Sequence, residues 1–206
     1  MSSTQAAEVH VHRDDVGSRM GMWLFLFTEL VLFGGMFILY SVYRFTYADD
    51  FHIAAKELNT VVGAFNTAIL LTSSLTMVLS IIAIQRNQKS LSLLMQGLTI
   101  LLGLFFMVNK YFEWTEKFHH GIYPGSEELL AKNSGEILFF GLYYMMTGLH
   151  GIHVLVGMIL IAIMAVATKR DLINHSNYVR LENIGLYWHL VDIIWIFLFP
   201  LFYLIT

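Results

Sequence analysis

Five acidic or histidine residues lie inside long apolar stretches of this 206-residue chain, where they could bind a proton or a metal ion. Glu29 lies in the run Leu-Phe-Leu-Phe-Thr-Glu-Leu-Val-Leu-Phe, His150 and His153 lie close together, and His189 and Asp192 lie near the C-terminus. Such groups are energetically unfavourable in hydrocarbon, so they usually face a protein interior and carry function. These five residues are the first candidates for chemistry.

Glu29 has no cation on its own apolar stretch to balance its charge. Two hypotheses follow from this. Glu29 is a proton-linked or conformational site, or it is a protonated carboxyl that forms a structural hydrogen bond between helices. The second hypothesis requires fewer assumptions and is favoured.

His150 and His153 are three positions apart, so they share roughly one face of a helix. Gly148 and Gly151 beside them allow another helix or a lipid to approach closely. The histidines either ligate a metal or haem, or they form hydrogen bonds to Glu29 and to backbone carbonyls. The hydrogen-bonding hypothesis is favoured, and the first stays an alternative.

The last apolar stretch carries a second polar pair. His189 and Asp192 are three positions apart, which predicts a hydrogen-bonded couple on one face. Trp188 and Trp195 are seven positions apart, which favours packing or a lipid-facing belt. A metal at the histidine pair needs more ligands at the same depth, and Glu29, His189 and Asp192 do not supply a Glu-x-x-His motif. The sequence therefore predicts no metal site.

Two other polar patterns predict contacts rather than chemistry. Lys110 and Glu113 are three positions apart near the end of an apolar stretch, which predicts a surface ion pair of small energetic value. Asn66, Ser73 and Ser80 recur every seven residues, which predicts a helix–helix contact.

The composition of the chain indicates whether these residues lie in water or in a membrane. Hydrophobic residues make up 57% of the chain and charged residues only 13%, whereas a soluble domain carries about 25% charged residues. The absence of cysteine excludes disulfides and thiolate metal sites. The net charge of −3 gives no indication of a nucleic-acid partner. The chain is therefore predicted to be an integral membrane protein.

Five stretches are long enough to cross a hydrocarbon core of about 30 Å as helices. They are residues 20–43, 61–84, 91–112, 137–167 and 184–205. The predicted fold is all-α: a polar N-terminal tail (residues 1–19) precedes a single transmembrane domain of five helices (residues 20–206). Lysine and arginine are more frequent on the side of the tail, which predicts a cytoplasmic N-terminus and an external C-terminus.

The same residues resemble the motifs of subunit III of the haem–copper oxidases. Residues 187–199 resemble its closing signature, W-H-F-V-D-V-V-W-L-F-L, and residues 148–154 resemble its G-x-H-G-x-H-V. The segment around Glu29 resembles the family's S-E-x-x-F-F, which contains a buried carboxylate. The other motif positions are Asn66 and Thr67 (N-T-x-x-L-L), Glu113 (E-Y-Y), and Glu182, seven residues before His189. The resemblance covers about residues 21–203, in collinear order.

This resemblance implies an accessory, non-catalytic subunit of a bacterial respiratory oxidase. In the family, subunit III holds no cofactor and packs against subunit I, which holds the haems and copper. It sustains proton uptake and binds lipids. The implied partners are subunits I and II, with subunit IV as a further candidate, and bound phospholipid is a candidate ligand. Glu29 is expected to pair with His150 or His153, and Trp188, His189 and Asp192 to order the last helix. The expected location is the bacterial inner membrane.

The longest members of the family have seven helices, whereas this sequence predicts five. Within the family, the Tyr-Phe-Glu-Trp segment and Glu29 favour a cytochrome c oxidase. A quinol oxidase and a nitric-oxide-reductase-associated homologue are the alternatives. A di-haem cytochrome b anchor and a free-standing transporter are alternatives from other classes.

Overall fold

The computed structural model describes residues 14–205. Asp15 to Tyr203 form seven helices: α1 (Asp15–Thr46), α2 (Ala48–Ala55), α3 (Thr60–Gln85), α4 (Lys89–His119), α5 (Glu127–Leu130), α6 (Ser134–Lys169) and α7 (Val179–Tyr203). Five of them, α1, α3, α4, α6 and α7, are long and apolar enough to cross a membrane. The prediction of a five-span helical membrane protein is confirmed.

The long helices extend past the predicted apolar stretches at every end but one, since α7 ends at Tyr203, two residues before its predicted end. Residues 1–13 of the predicted tail lie outside the described residues, but α1 already begins at Asp15, where Asp14 Oδ1 accepts a hydrogen bond of 2.7 Å from the Gly17 amide. Helix α4 continues to His119, two turns beyond its predicted end. The short helices α2 and α5 lie between the predicted apolar stretches. Because α4 is longer than predicted, residues 113–119 belong to a helix rather than to the segment that follows it.

Helices α3, α4, α6 and α7 form a four-helix bundle in which each packs against two neighbours, in the order α3, α4, α6, α7. Helix α1 lies outside this bundle against α6 and α7. We call the end that holds Asp15 and Glu182 the N-terminal end of the bundle, and the end that holds Glu57, Lys117 and Tyr203 its C-terminal end. These groupings follow from contacts such as Arg19 with Glu182 and Lys117 with Glu57.

Trp188 fixes the centre of the bundle. Its side chain is fully buried, and its indole N–H donates to Ser73 Oγ on α3 at 3.1 Å. The ring lies against glycines on the two other helices. A Cβ atom added at Gly103 of α4 would lie 3.0 Å from the ring, and one at Gly157 of α6 would lie 2.7 Å from it. The missing side chains at these glycines make room for the tryptophan.

Candidate functional site

Glu29 and His153 form a polar pair between α1 and α6. His153 Nε2 lies 2.9 Å from Glu29 Oε2, and both side chains are largely buried. His153 Nδ1 lies 2.8 Å from the Leu149 carbonyl oxygen, which can only accept, so Nδ1 carries a proton. The pair therefore shares one further proton: either a protonated Glu29 donates to neutral His153, or a charged imidazole donates to a carboxylate.

His150 does not take part in this pair. It is fully buried, and neither ring nitrogen has a hydrogen-bond partner within residues 14–205. The ring instead packs between Phe106 and Trp195, with ring centroids 5.6 and 5.3 Å away. Of the two histidines that the sequence offered as partners for Glu29, the structure brings only His153 to it.

The predicted couple between His189 and Asp192 is wrong. His189 Nδ1 lies 2.6 Å from Ser74 Oγ on the neighbouring helix α3. Asp192 is 3% exposed, and its carboxyl lies next to the same Ser74, although neither carboxyl oxygen is in hydrogen-bond geometry with a partner in the described part of the chain. Both side chains therefore face Ser74, and His189 forms its hydrogen bond with that hydroxyl rather than with Asp192.

The other motif residues hold helices together. Trp195 donates to Thr67 Oγ1 at 3.0 Å, and Asn109 of α4 donates to Asn66 of α3 at 2.8 Å. Glu182 forms an ion pair of 2.7 Å with Arg19, which joins α7 to the start of α1. Both tryptophans of the last helix are fully buried, so they pack inside the bundle rather than face lipid.

Gly148 and Gly151 line a groove of about 290 Å³ on the outer surface between α4 and α6. The Trp114 ring lies 3.1 Å from the position of a Cβ atom at Gly148, so this glycine lets α4 approach α6. Lys110 also contributes to the wall of this groove.

The prediction that Lys110 and Glu113 form a surface pair is wrong. Their side chains are 9% and 8% exposed, and Lys110 Nζ lies 3.2 Å from Glu113 Oε2. Lys110 Nζ also donates to the hydroxyls of Tyr143 (3.0 Å) and Tyr203 (2.9 Å). Each hydroxyl in turn donates to Glu113 Oε1 at 2.5 Å. We call these four residues, Lys110, Glu113, Tyr143 and Tyr203, the polar cage.

The polar cage joins three helices, with Lys110 and Glu113 on α4, Tyr143 on α6 and Tyr203 on α7. The ammonium also lies 5.0 to 5.6 Å from the ring centroids of Tyr143, Trp195 and Tyr203. All three ammonium hydrogens have an acceptor within the cage, and Glu113 accepts three hydrogen bonds. A buried ion pair is tolerated only when hydrogen bonds satisfy its members in this way.

A signal for the polar cage is present in the sequence of α4. The buried residues of this helix follow a regular spacing of alternately four and three positions, and all but two are polar. They are Ser92, Gln96, Thr99, Gly103, Phe106, Lys110, Glu113 and Lys117. In a membrane helix the polar face turns towards protein rather than lipid, so this stripe, read along the whole helix, assigns Lys110 and Glu113 to the interior.

A polar cavity of about 730 Å³ opens at the C-terminal end of the bundle, and we call it the vestibule. Its lining residues are Lys56, Glu57, Leu58, Asn59, Glu113, Glu116, Lys117, His120, Ile122, Glu128 and Lys132. Partial burial disfavours the Lys132 ammonium, but hydrogen bonds and charges from Glu57 and Glu136 raise the pKa of Lys132 above its ordinary value. Of the α4 residues in this lining, Glu113 lies farthest from the C-terminal end of the helix.

The ionisable residues do not converge on a metal or haem site. In the described residues, no group of three or more His, Asp or Glu side chains is arranged to hold a metal ion. His153 is held by Glu29 and His189 by Ser74, while aromatic rings cover His150. The donor set therefore does not fit a haem or copper centre in this part of the chain.

A family model described as cytochrome c oxidase subunit III matches residues 2–206. The chain is 31% identical over 188 residues to the cytochrome c oxidase subunit 3 of Alkalihalophilus pseudofirmus, covering 90% of this chain and 85% of that protein. It is 32% identical over 201 residues to the cytochrome bo(3) ubiquinol oxidase subunit 3 of Pseudomonas aeruginosa, covering 95% and 89%. A heme-copper oxidase subunit I+III of Aeropyrum pernix is 29% identical over 197 residues, which span 91% of this chain and 22% of that longer protein.

Proposed function

The chain belongs to the cytochrome c oxidase subunit III family, and its five apolar helices fit a multi-pass protein of the bacterial inner membrane. We propose that it is the accessory subunit of a respiratory oxidase. It packs on subunit I, stabilises the complex and supports proton uptake while partner subunits reduce oxygen to water. Haem and copper belong to those partners, and this chain performs no redox step.

The observation that carries this proposal is a match over the whole chain to subunits of oxidase complexes, one of which is named as subunits I and III together. The interior supports it, because several of its polar groups form helix–helix contacts, such as Glu29 with His153 and Asn109 with Asn66. The outer faces of the long helices are rich in exposed apolar side chains, such as Leu30 and Phe105, which suit a partner subunit or lipid.

The two candidate functions differ in the electron donor of the complex. Relatives with similar sequence identity to this chain are named as subunits of cytochrome c oxidase and of ubiquinol oxidase. The Tyr-Phe-Glu-Trp segment that ends in Trp114 favours cytochrome c. The complex purified through a tag on this chain should oxidise reduced cytochrome c and contain haem and copper in other subunits. Oxidation of quinol alone would instead assign the second candidate.

The Glu29–His153 pair gives the test of the accessory role. We expect Glu29→Ala to assemble and to reduce oxygen at nearly the initial wild-type rate, but to lose activity faster during turnover. Glu29→Gln is the matched control, because its amide can still hydrogen-bond to His153 Nε2. Complete loss of oxygen reduction from the first turnover, in a fully assembled complex, would contradict the accessory role.

A di-haem cytochrome b anchor predicts haem absorption bands in this chain itself. We expect the isolated chain to be colourless, because His153 and His189 are engaged by Glu29 and Ser74 and rings cover His150. A Soret band that stays with the chain after separation from its partners would support the anchor instead.

A further inference from the structure

We propose that the polar cage is a proton-exchange site that the vestibule connects to the aqueous phase at the C-terminal end of the bundle. The ligand is a proton delivered by water, and Glu113 accepts it. This site lies apart from the Glu29–His153 pair, which is formed by α1 and α6.

Water access follows from the position of Glu113. Its side chain is only 8% exposed, yet it forms part of the wall of the open vestibule. Apart from Leu58 and Ile122, the other lining residues carry polar or charged groups, and Glu116 and His120 follow Glu113 at helical spacing towards the end of α4. A roomy cavity with several polar partners holds water, so a chain of waters can reach this carboxylate from outside.

The hydrogen bonds of the cage leave one position free on Glu113. A carboxylate has about four lone-pair sites. Oε1 accepts from Tyr143 and Tyr203, and Oε2 accepts from Lys110, so one site on Oε2 remains for a water of the vestibule. When hydronium approaches there, its proton binds the carboxylate and water is released. The carboxylate becomes a carboxylic acid, and the net charge of the cage changes from zero to plus one.

The ammonium and the two hydroxyl donors stabilise the carboxylate, so a proton bound by Glu113 is readily returned to water, as an exchange site requires. The tyrosine hydroxyls both accept from Lys110 and donate to Glu113, so they can turn as the acceptor strength of Glu113 falls. The aromatic rings around the ammonium stabilise positive charge at the same point. Other ionisable groups also face the cage or its vestibule and affect the exchange: Lys56, Glu57, Glu116, Lys117, His120, Glu128, Lys132, Tyr144 and His150.

Infrared difference spectroscopy of the assembled complex during a pH change tests the site. We expect a pair of bands in which carboxylate is lost as carboxylic acid forms, and we expect Glu113→Gln to remove that pair. Glu29→Gln is the matched control, and it should leave the pair in place. Persistence of the pair in Glu113→Gln, or its absence from the wild-type complex across the range in which the complex is stable, would overturn the proposal.

Two conservative variants give the same answer if Glu113→Gln does not assemble. Tyr143→Phe and Tyr203→Phe each remove one donor to Oε1, so each should shift the carboxylic acid band without removing it. A band that neither variant shifts does not arise from Glu113, and that result rejects the assignment.

A vestibule variant tests the route. Glu116 lies one turn beyond Glu113 and lines the vestibule, so Glu116→Trp should obstruct the path. We expect the exchange after photolysis of a caged proton to slow by about tenfold, which corresponds to a barrier increase of about 1.4 kcal/mol. His119→Trp is the control, because His119 is exposed on the same helix but is not in the vestibule wall. Equal rates in the two variants would overturn the route, while oxidase assembly and turnover are scored separately.

Discussion

The pairing of Lys110 with Glu113 predicts that the double variant destabilises the bundle far less than the sum of the two single variants. Lys110→Met removes three hydrogen bonds of 2.9 to 3.2 Å and leaves a buried carboxylate without its counter-charge. Glu113→Gln leaves the ammonium with neutral acceptors only. The double variant leaves neither charge behind, and the methionine fills the space of the lysine stem.

The geometry sets the size of these effects. Removing one partner of a buried ion pair costs about 3 to 5 kcal/mol, because the other charge is left uncompensated. The two tyrosine hydroxyls, at 2.5 Å from Glu113 Oε1, still stabilise the carboxylate in Lys110→Met, which favours the lower value. We expect about 3 kcal/mol for each single variant and about the same for the double variant, a coupling of about 3 kcal/mol.

Unfolding of the full-length chain by dodecyl sulfate in mixed micelles measures this coupling. Trp195 lies 5.3 Å from Lys110 Nζ, so tryptophan fluorescence reports on the cage directly. Lys56→Met is the matched control, since Lys56 is exposed, and it should change the free energy of unfolding by less than about 0.5 kcal/mol. If the loss in the double variant equals the sum of the two single losses, the residues are not a coupled buried pair and the reasoning is refuted.

Two further predictions concern packing and charge. Gly157→Ala should lower the free energy of unfolding by about 1 to 3 kcal/mol, because its Cβ would lie 2.7 Å from the buried Trp188 ring. Gly141→Ala should be neutral or slightly stabilising, because in the described residues its Cβ would meet no atom within 4 Å apart from its chain neighbours and the backbone of its own helix. Lys132 stabilises the C-terminal end below its unfolded pKa of about 10.4, and this contribution is lost as the pH rises through its raised folded-state pKa. The difference in melting temperature between wild type and Lys132→Gln should therefore be present at neutral pH and vanish at strongly alkaline pH.

The sequence predicted that the chain is an integral membrane protein and that it has five spans, because both properties depend on local composition. A membrane helix requires a long apolar run, and each of the five runs is visible without knowledge of its neighbours. For the partner of Glu29, the resemblance reduced the choice to two residues, His150 and His153. Choosing between them needed the rotation of α6 against α1, which no local pattern contains.

The polar cage was missed for a different reason. Lys110 and Glu113 are three positions apart near the end of an apolar run, and that spacing fits a surface pair as well as a buried one. Their burial depends on α4 extending to His119, and on two hydroxyls that come from other helices. Tyr143 and Tyr203 are distant in sequence, and only the packing of α6 and α7 against α4 brings them together.

Hydrocarbon offers no hydrogen bonds, so the inward polar stripe of α4 must be satisfied by neighbouring helices. Thr99 of α4 lies 2.7 Å from Thr76 of α3, and Asn109 donates to Asn66 of α3 at 2.8 Å. A rotation of α4 that broke these bonds would turn Lys110 and its neighbours towards lipid, which is unfavourable. The polar residues therefore specify the register and rotation of α4, and they leave its apolar face free for lipid or a partner subunit.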